Sequence, residues 1–198
     1  MTNNYDELFK IETGNQGSIK AKSKHDSPYE ATPYSFLARL FDELPLTKED
    51  RLVDFGSGKG RLLFYLHDRF RLRVTGVEKS EELHQIARKN KDIYCKERKG
   101  ARQQINLINQ SAENYNLRKE DNIFYFFNPF SLTIFKQVIT NILSSAQQYN
   151  RPIRLIFYYP RQKYIDYLID TPFKLEQEIL IPGLSRINPQ ERFLIYKL

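Results

Sequence analysis

Arg51-Leu-Val-Asp-Phe-Gly-Ser-Gly-Lys-Gly-Arg61 is the stretch that decides the fold of this 198-residue chain. Its first five residues are typical of a short strand, and the residues after it repeat apolar side chains at helical spacing. Three glycines alternate between the strand and the helix. Glycine lets a backbone turn sharply and approach a ligand closely, because it has no Cβ. The stretch therefore predicts the first unit of an open α/β sheet with a ligand at the loop.

Further strand-and-helix units follow this loop along the chain. Alternating strands and helices form a parallel sheet with helices on both faces. The last two predicted strands have no helix between them and should pair antiparallel. We therefore predict an α/β, three-layer, Rossmann-like fold, whose mostly parallel seven-stranded sheet ends in a C-terminal antiparallel hairpin. The predicted strands are residues 51–55, 72–77, 104–109, 122–127, 153–159, 173–181 and 192–198.

The N-terminal part of the chain differs in composition from the rest. Residues 1–28 are polar and contain several lysines, which is typical of a flexible or loosely docked segment. Thr32 and Pro33 then have the residue types of a helix N-cap and a first helical position. A chain of this length is normally one domain. We predict an N-terminal arm over residues 1–29 and one domain over residues 30–198.

The composition excludes several classes of protein. Hydrophobic residues make up 40% and aromatic residues 14% of the chain, which is ordinary for a globular protein and unlike a disordered one. The chain has no run of about 18 apolar residues and no secretory signal, so we expect no membrane contact. A single cysteine, Cys95, cannot form an internal disulfide, which favours a cytoplasmic protein. The three histidines are far apart, so no metal site is predicted.

The net charge of +7 is concentrated in one segment. Residues 88–102 carry five of the seven excess positive charges, and they form the end of the second crossover helix and the loop after it. In this fold the helices begin at the ligand edge of the sheet and end at the opposite edge, where cations also suit the helix dipole. The charge therefore predicts at most a docking patch remote from the ligand, and it does not identify a substrate.

The spacing of the glycines narrows the choice of ligand. A dinucleotide fingerprint, G-x-G-x-x-G, would need glycine where Arg61 stands, and the Walker pattern is missing. The pattern Asp54-x-Gly-x-Gly-x-Gly60 resembles motif I of the class I S-adenosylmethionine-dependent methyltransferases. This resemblance implies S-adenosylmethionine as cofactor and S-adenosylhomocysteine as product, with Asp54 near the amino-acid part of the ligand. The residues implied to pack against the cofactor are Gly56, Ser57, Gly58 and Gly60.

The ends of the second and third strands extend the resemblance. Glu78 ends the second strand, where a carboxylate can accept hydrogen bonds from both ribose hydroxyls. Ser111 and Ala112 follow the third strand, where the family often has Asp-Ala. The resemblance implies that the Ala112 backbone binds the adenine edge, while Ser111 replaces the usual carboxylate. The segment from Tyr29 to Tyr34 can fold over the cofactor in this family, so we expect one of these two tyrosines near it.

The end of the fourth strand, Asn128-Pro129-Phe130, resembles the Asp/Asn-Pro-Pro-Tyr/Phe motif of amino-group methyltransferases. The resemblance implies that the Asn128 amide and the Pro129 carbonyl accept hydrogen bonds from the target NH₂, with Asn128 also beside the cofactor. It also implies that Phe130 stacks on the substrate. The second proline of the motif is absent, so the match is partial.

These patterns predict a methyltransferase that acts on a nitrogen atom by in-line displacement. The acceptor can be a protein, an RNA or a small amine; the Asp-Phe-Gly-Ser-Gly loop also looks like that of seven-strand protein-lysine methyltransferases, which favours a protein. One alternative is a module that binds S-adenosylmethionine without catalysis. Another is a nicotinamide-dependent oxidoreductase, which Arg61 disfavours. The sequence indicates neither an obligate partner nor an oligomeric state.

Overall fold

The computed structural model describes residues 4–14 and 29–198. Its strands follow the predicted order, with boundaries that differ from the predicted ones by at most one residue. The strands are β1 (Arg51–Phe55), β2 (Arg73–Glu78), β3 (Ile105–Asn109), β4 (Ile123–Phe126), β5 (Arg154–Tyr158), β6 (Lys174–Leu180) and β7 (Arg192–Lys197). The helices are α1 (Tyr5–Phe9), α2 (Tyr34–Glu43), α3 (Arg61–Phe70), α4 (Glu81–Lys96), α5 (Ala101–Gln104), α6 (Leu132–Gln148) and α7 (Gln162–Ile169).

The seven strands form one sheet in the order β3-β2-β1-β4-β5-β7-β6. The first five of these strands are parallel, and β7 runs antiparallel to both β5 and β6. This confirms the predicted three-layer, Rossmann-like fold. The order reverses between β1 and β4, and ligands of such sheets bind at the carboxyl ends of the strands beside this point. The glycine loop follows β1 and the Asn128 motif follows β4, so the topology brings both to this position.

Two hydrophobic cores cover the two faces of the sheet, because successive side chains of a strand point to opposite faces. Leu52 of β1 belongs to the core beneath α2 and α3, whereas Val53 belongs to the core beneath α6 and α7. Aromatic rings dominate the second core. The Phe126 ring stacks between Phe55 and Phe157 of the neighbouring strands, at centroid distances of 5.5 and 4.9 Å. Offset-stacked rings stabilise such a core beyond the burial of their area.

The edge strand β6 departs from its sequence pattern. Alternating apolar and charged residues predict one wet face, but Leu175 is 54% exposed. A register shift between Leu175 and Gln177 explains this difference, since a slip of one residue moves a side chain to the other face. The loop from β6 to β7 then spans residues 181–191 and lies at the same sheet edge as the glycine loop, because Tyr159 donates its N–H to the Arg192 carbonyl oxygen at 3.1 Å.

Part of the predicted arm is packed rather than loose. Residues 4–14, here called the N-terminal strap, lie along α3 and α4, with the Tyr5 ring 5.2 Å from the Tyr65 ring and the Phe9 ring 5.2 Å from the Tyr94 ring. Tyr5 and Phe9 are four residues apart, so a single helical turn presents both rings to the domain. The lysine-rich part of the arm prediction, residues 15–28, lies outside the described residues.

Two further features of the described chain bear on the predictions. Thr32 does not cap α2 through its side chain; its hydroxyl instead bonds the Tyr125 hydroxyl at 2.8 Å beneath the sheet edge. In residues 4–14 and 29–198, no helix is both long and apolar enough to cross a membrane.

We predict that Tyr94→Phe destabilises the fold by about 1–2 kcal/mol, because a buried polar partner is left unpaired. Tyr94 is fully buried, and its hydroxyl shares a hydrogen bond of 2.8 Å with Nδ1 of the buried His67. Urea unfolding at pH 7 measures the loss. Tyr149→Phe, at an exposed position, is the control and should leave the midpoint unchanged; equal midpoints for both variants would contradict the prediction.

Candidate cofactor and acceptor site

The glycine loop connects three parts of the protein. All three glycines have positive φ, and Gly56 and Gly58 also lack room for a side chain. A Cβ on Gly56 would lie 2.5 Å from Cβ of Pro129, and a Cβ on Gly58 would lie 2.1 Å from the Tyr29 ring. The absent side chains thus admit Pro129 from the end of β4 and Tyr29 from the segment before α2. The sequence predicts glycines that let a ligand approach, and in this structure the same glycines let neighbouring segments approach.

Glu78 holds the loop from the end of β2. Its Oε2 accepts the Gly58 N–H at 2.9 Å, and its Oε1 accepts the Ser80 N–H at 2.7 Å. A carboxylate oxygen has two acceptor positions, so a carboxylate at this place suits ribose hydroxyls as well as backbone N–H groups. The N–H groups of Gly56 and Ser57 both donate to the Val77 carbonyl oxygen, which fixes the loop against β2. The predicted role of Glu78 is compatible with its geometry.

Asp54 has the electrostatics of a site for a cation. Its side chain is buried, and no group in the described ranges donates a hydrogen bond to it. Burial, together with the nearby charge of Glu78, raises the pKa of Asp54 to about 8. A buried carboxyl without donors is costly to ionise unless a cation approaches. The amino group and sulfonium of S-adenosylmethionine are both cationic, so Asp54 fits this cofactor.

A cavity of about 30 Å³ lies between the glycine loop and the segment before α2. It has room for one or two water molecules, so it can hold only a small group of a nucleoside-sized ligand. Of the predicted cofactor residues, Asp54, Gly56 and Ser57 line this cavity. The other lining residues are Tyr29, Glu30, Ala31, Thr32, Leu37, Arg61, Leu62, Tyr125 and Phe127.

The remaining predicted cofactor residues lie outside the cavity lining. Gly58 and Gly60 are buried in the loop itself. Ser111 and Ala112 follow β3, and the bond from Gln110 N–H to the Glu78 carbonyl oxygen, 3.2 Å, places them beside the end of β2. Ser111 precedes a short 3₁₀ helix, Ala112–Asn114, without capping it through its side chain. Their predicted contacts with adenine stay a prediction.

The acceptor motif has an unusual backbone. Asn128 and Tyr159, at the ends of the adjacent strands β4 and β5, have φ values of 44° and 50°. The Asn128 side chain donates Nδ2–H to the Tyr159 carbonyl oxygen, and the Tyr159 hydroxyl accepts from Nδ2 of Asn188 at 2.7 Å. Left-handed backbone is uncommon for residues other than glycine, and it is strained for a residue as bulky as tyrosine. Such strain often accompanies a functional site. Here the side chains of Asn128 and Asn188 hold the strained residue Tyr159 in place.

Phe130 lies deeper than the predicted stacking role requires. Its ring is 6% exposed and packs edge-on against Phe126 at 6.3 Å, and its carbonyl oxygen accepts from the Tyr164 hydroxyl. In this conformation the ring belongs to the core, so stacking on an acceptor would require it to turn outwards. Pro129 is half-buried and covers Gly56.

The contact between the strap and the glycine loop was not predicted from the sequence. Lys59 is buried, and its ammonium donates to the Gly14 carbonyl oxygen at 2.8 Å and to the Glu12 carboxylate at 3.3 Å. Arg61 stacks on the Tyr34 ring at 4.6 Å. Both cations are therefore directed to the N-terminal segments. The spacing of two aromatic residues in α1 is the signal that could have predicted a docked strap.

A family model described as "Histone methylation protein DOT1" matches residues 18–123, which is more than half of the chain. The chain belongs to the DOT1 family. It is a class I S-adenosylmethionine-dependent methyltransferase, as the resemblance of the glycine loop implies. The matched range of this DOT1-family methyltransferase contains Asp54 and Glu78 and ends before Asn128, so the acceptor motif is not part of the match.

Solved structures share the fold at low sequence identity. An RNA methyltransferase from Salinibacter ruber in complex with S-adenosyl-L-homocysteine has a TM-score of 0.54 and 17% identity, over 85% of this chain and 92% of that one. An rRNA methylase from Streptococcus thermophilus has a TM-score of 0.58 and 15% identity, over 85% and 98%. A geranyl diphosphate methyltransferase, in complex with GPP and sinefungin, has a TM-score of 0.56 and 12% identity, over 83% and 78%. No curated protein is similar enough in sequence to count as a relative.

We predict that Asp54 makes the stability of this methyltransferase fall as the pH rises. Between pH 4 and pH 8 the folded protein keeps a proton on Asp54 that the unfolded chain has released, so ionisation favours unfolding across this window. Asp54→Asn removes this effect. The melting temperature of the variant should therefore fall less between pH 5 and pH 8.5 than that of the parent.

The matched control is Asp166→Asn, which changes an exposed carboxylate of α7. Its melting temperature should follow the parent at each pH. Parallel curves for Asp54→Asn and the parent would show that Asp54 is already ionised at neutral pH, and would contradict the prediction.

Proposed function

We propose that this DOT1-family methyltransferase transfers the methyl group of S-adenosylmethionine to a nitrogen atom bound at the ends of β4 and β5. The observation that carries the proposal is the contact between Pro129 and Gly56, which sets the acceptor motif directly against the cofactor loop. In-line displacement requires the acceptor and the cofactor to lie side by side in a fixed orientation, and alignment alone supplies a large part of the rate.

The residues of the first three strand ends would hold the cofactor. Asp54 would lie near its cationic amino-acid part, Glu78 would accept hydrogen bonds from the ribose hydroxyls, and Ala112 would offer its backbone to the adenine edge. S-adenosylmethionine supplies a methyl group already activated on a sulfonium. The chain therefore has to bind, orient and exclude water, and these roles suit a loop whose backbone is fixed by Glu78.

The acceptor end supports a nitrogen target. Asn128 donates Nδ2–H to the Tyr159 carbonyl oxygen, which orients its amide, and Oδ1 is the acceptor atom that the motif would direct to an amine. Together with the Pro129 carbonyl, this oxygen would orient a neutral NH₂ group with its lone pair towards the methyl group. Such an acceptor does not need a strong general base. The strained backbone at Asn128 fits a position selected for the orientation of its side chain.

A protein amine is the acceptor class that we propose first. The family description names histone methylation, and the glycine loop resembles that of protein-lysine methyltransferases. The basic segment gives RNA little support, because α4 follows Ser80, which is bonded to Glu78, and carries the first part of this segment towards the opposite edge of the sheet. Two of the structures with this fold are described as RNA methylases, so RNA is an outcome that the experiment must distinguish.

We predict that S-adenosylhomocysteine raises the melting temperature of the protein, since a ligand of the folded state stabilises it. NADH at the same concentration should not. Gly58→Val should abolish the shift, because its Cβ would clash with the Tyr29 ring and strain a backbone at φ 53°. Gly100→Val is the matched control: it strains a backbone at φ 83° in open space and should keep the shift. No shift in the parent at millimolar ligand would refute the cofactor assignment.

We predict that Asn128→Ala lowers turnover by at least tenfold while the affinity for S-adenosylhomocysteine changes little. Incubating a cell extract with the enzyme and labelled S-adenosylmethionine, and separating protein, RNA and small molecules, identifies the labelled acceptor for this assay. Gln162→Ala, at an exposed residue of α7, is the control. Unchanged turnover in Asn128→Ala would reject its role, and label in RNA alone would reject a protein acceptor.

A further inference from the structure

Asn90 joins two segments that are far apart in sequence. It is buried in the middle of α4, and its Oδ1 accepts the Glu12 N–H at 3.1 Å. Its Nδ2 donates to the Glu12 carbonyl oxygen at 2.9 Å and to the Lys59 carbonyl oxygen at 3.1 Å. The Asn90 amide therefore pairs with both the N–H and the carbonyl group of Glu12 in the strap. It also binds the Lys59 carbonyl, in the middle of the glycine loop.

Lys59 repeats this connection through its side chain. Its ammonium is bonded by the Gly14 carbonyl oxygen and the Glu12 carboxylate, and its side chain is only 3% exposed. A buried ammonium is costly without partners. If the strap detaches, the Lys59 ammonium loses these partners and has to move towards water. Because the Lys59 backbone is the middle of the glycine loop, this movement would disturb the loop.

Thr13 connects the strap to the other side of the site. Its hydroxyl accepts from Nε of Arg61 at 2.8 Å and donates to the Asp6 carboxylate at 2.6 Å. Its carbonyl oxygen accepts from the Tyr29 hydroxyl at 2.7 Å, and the Tyr29 ring is the one that covers Gly58. The strap thus fixes both the start of α3 and the segment Tyr29–Thr32, which lines the cavity beside the glycine loop.

We infer that the N-terminal strap is a working part of the cofactor site, and that Asn90 and Thr13 are positioning residues that couple its docking to the binding of S-adenosylmethionine. The inference rests on the proposed cofactor site. A docked strap holds the loop and Tyr29 in one arrangement, so the cofactor does not have to order them on binding. An undocked strap adds that cost, and the affinity for the cofactor falls although no group that touches it has changed. Coupling of this kind is reciprocal, so the cofactor must also stabilise the docked strap.

The experiment measures S-adenosylhomocysteine affinity by calorimetry with full-length variants. Asn90→Ala removes three hydrogen bonds and should weaken binding at least tenfold. Thr13→Val keeps the shape of the side chain, removes the hydrogen bonds that its hydroxyl makes with Arg61 and Asp6, and should weaken binding severalfold. Lys10→Ala is the matched strap control, since it breaks an exposed ion pair with Glu97 and leaves the contacts to the loop intact.

A control for stability separates positioning from general destabilisation. Val138→Ala opens a cavity beneath α6, on the opposite face of the sheet, and should lower the melting temperature without changing the affinity. Hydrogen exchange of the parent gives an independent readout, in which the ligand should slow exchange at the amides of Glu12 and Thr13. This readout serves even where Asn90→Ala fails to fold.

Two results overturn the inference, and they are distinguishable from failure of the proposed function. Binding within twofold of the parent by folded Asn90→Ala and Thr13→Val would overturn it, as would exchange in the strap that the ligand leaves unchanged. Either result leaves the cofactor assignment intact. A parent protein that does not bind S-adenosylhomocysteine at all would refute the cofactor assignment itself, and the inference with it.

Discussion

The contact of two side chains with glycine positions organises this site. Pro129 and Tyr29 occupy the space where Gly56 and Gly58 would otherwise carry a Cβ. One contact attaches the acceptor motif to the loop, and the other attaches the segment before α2. Because both meet the loop within three residues, a displacement at either one changes the same short piece of backbone. Under the proposed function, the geometry of the acceptor site and the geometry of the cofactor site would therefore not be independent.

The electrostatics of the site depend on the different surroundings of two neighbouring carboxylic acids. Glu78 accepts two backbone N–H bonds, whereas Asp54 is buried without such donors and its pKa is raised to about 8. The Glu78 carboxylate thus binds backbone N–H groups of the protein before any ligand is present. The Asp54 carboxylate is stabilised as an anion only when a cation comes close. Under the proposed function, two carboxylic acids on adjacent strands would therefore serve different parts of one ligand.

The sheet was predictable from sequence because its signals are local. Apolar runs such as residues 123–126 and the glycine loop after Phe55 determine strands and turns from adjacent residues. The strap was not predictable in this way, since Glu12 finds its partner Asn90 across 78 residues. Glycines presented a different difficulty: the sequence shows that the backbone of Gly56 needs space, and only the fold shows that Pro129 uses it.

The separation of Glu12 and Asn90 also determines when the site is completed during synthesis. The strap is synthesised well before its partners Lys59 and Asn90. Bringing Glu12 and Asn90 together closes a long loop and costs chain entropy. The contacts that offset this cost form only once α3 and α4 are folded. We therefore expect the strap to dock after most of the core has formed, and to detach before the sheet on heating. If the strap positions the cofactor site as inferred above, competence for the cofactor would be gained late in folding and lost early in unfolding.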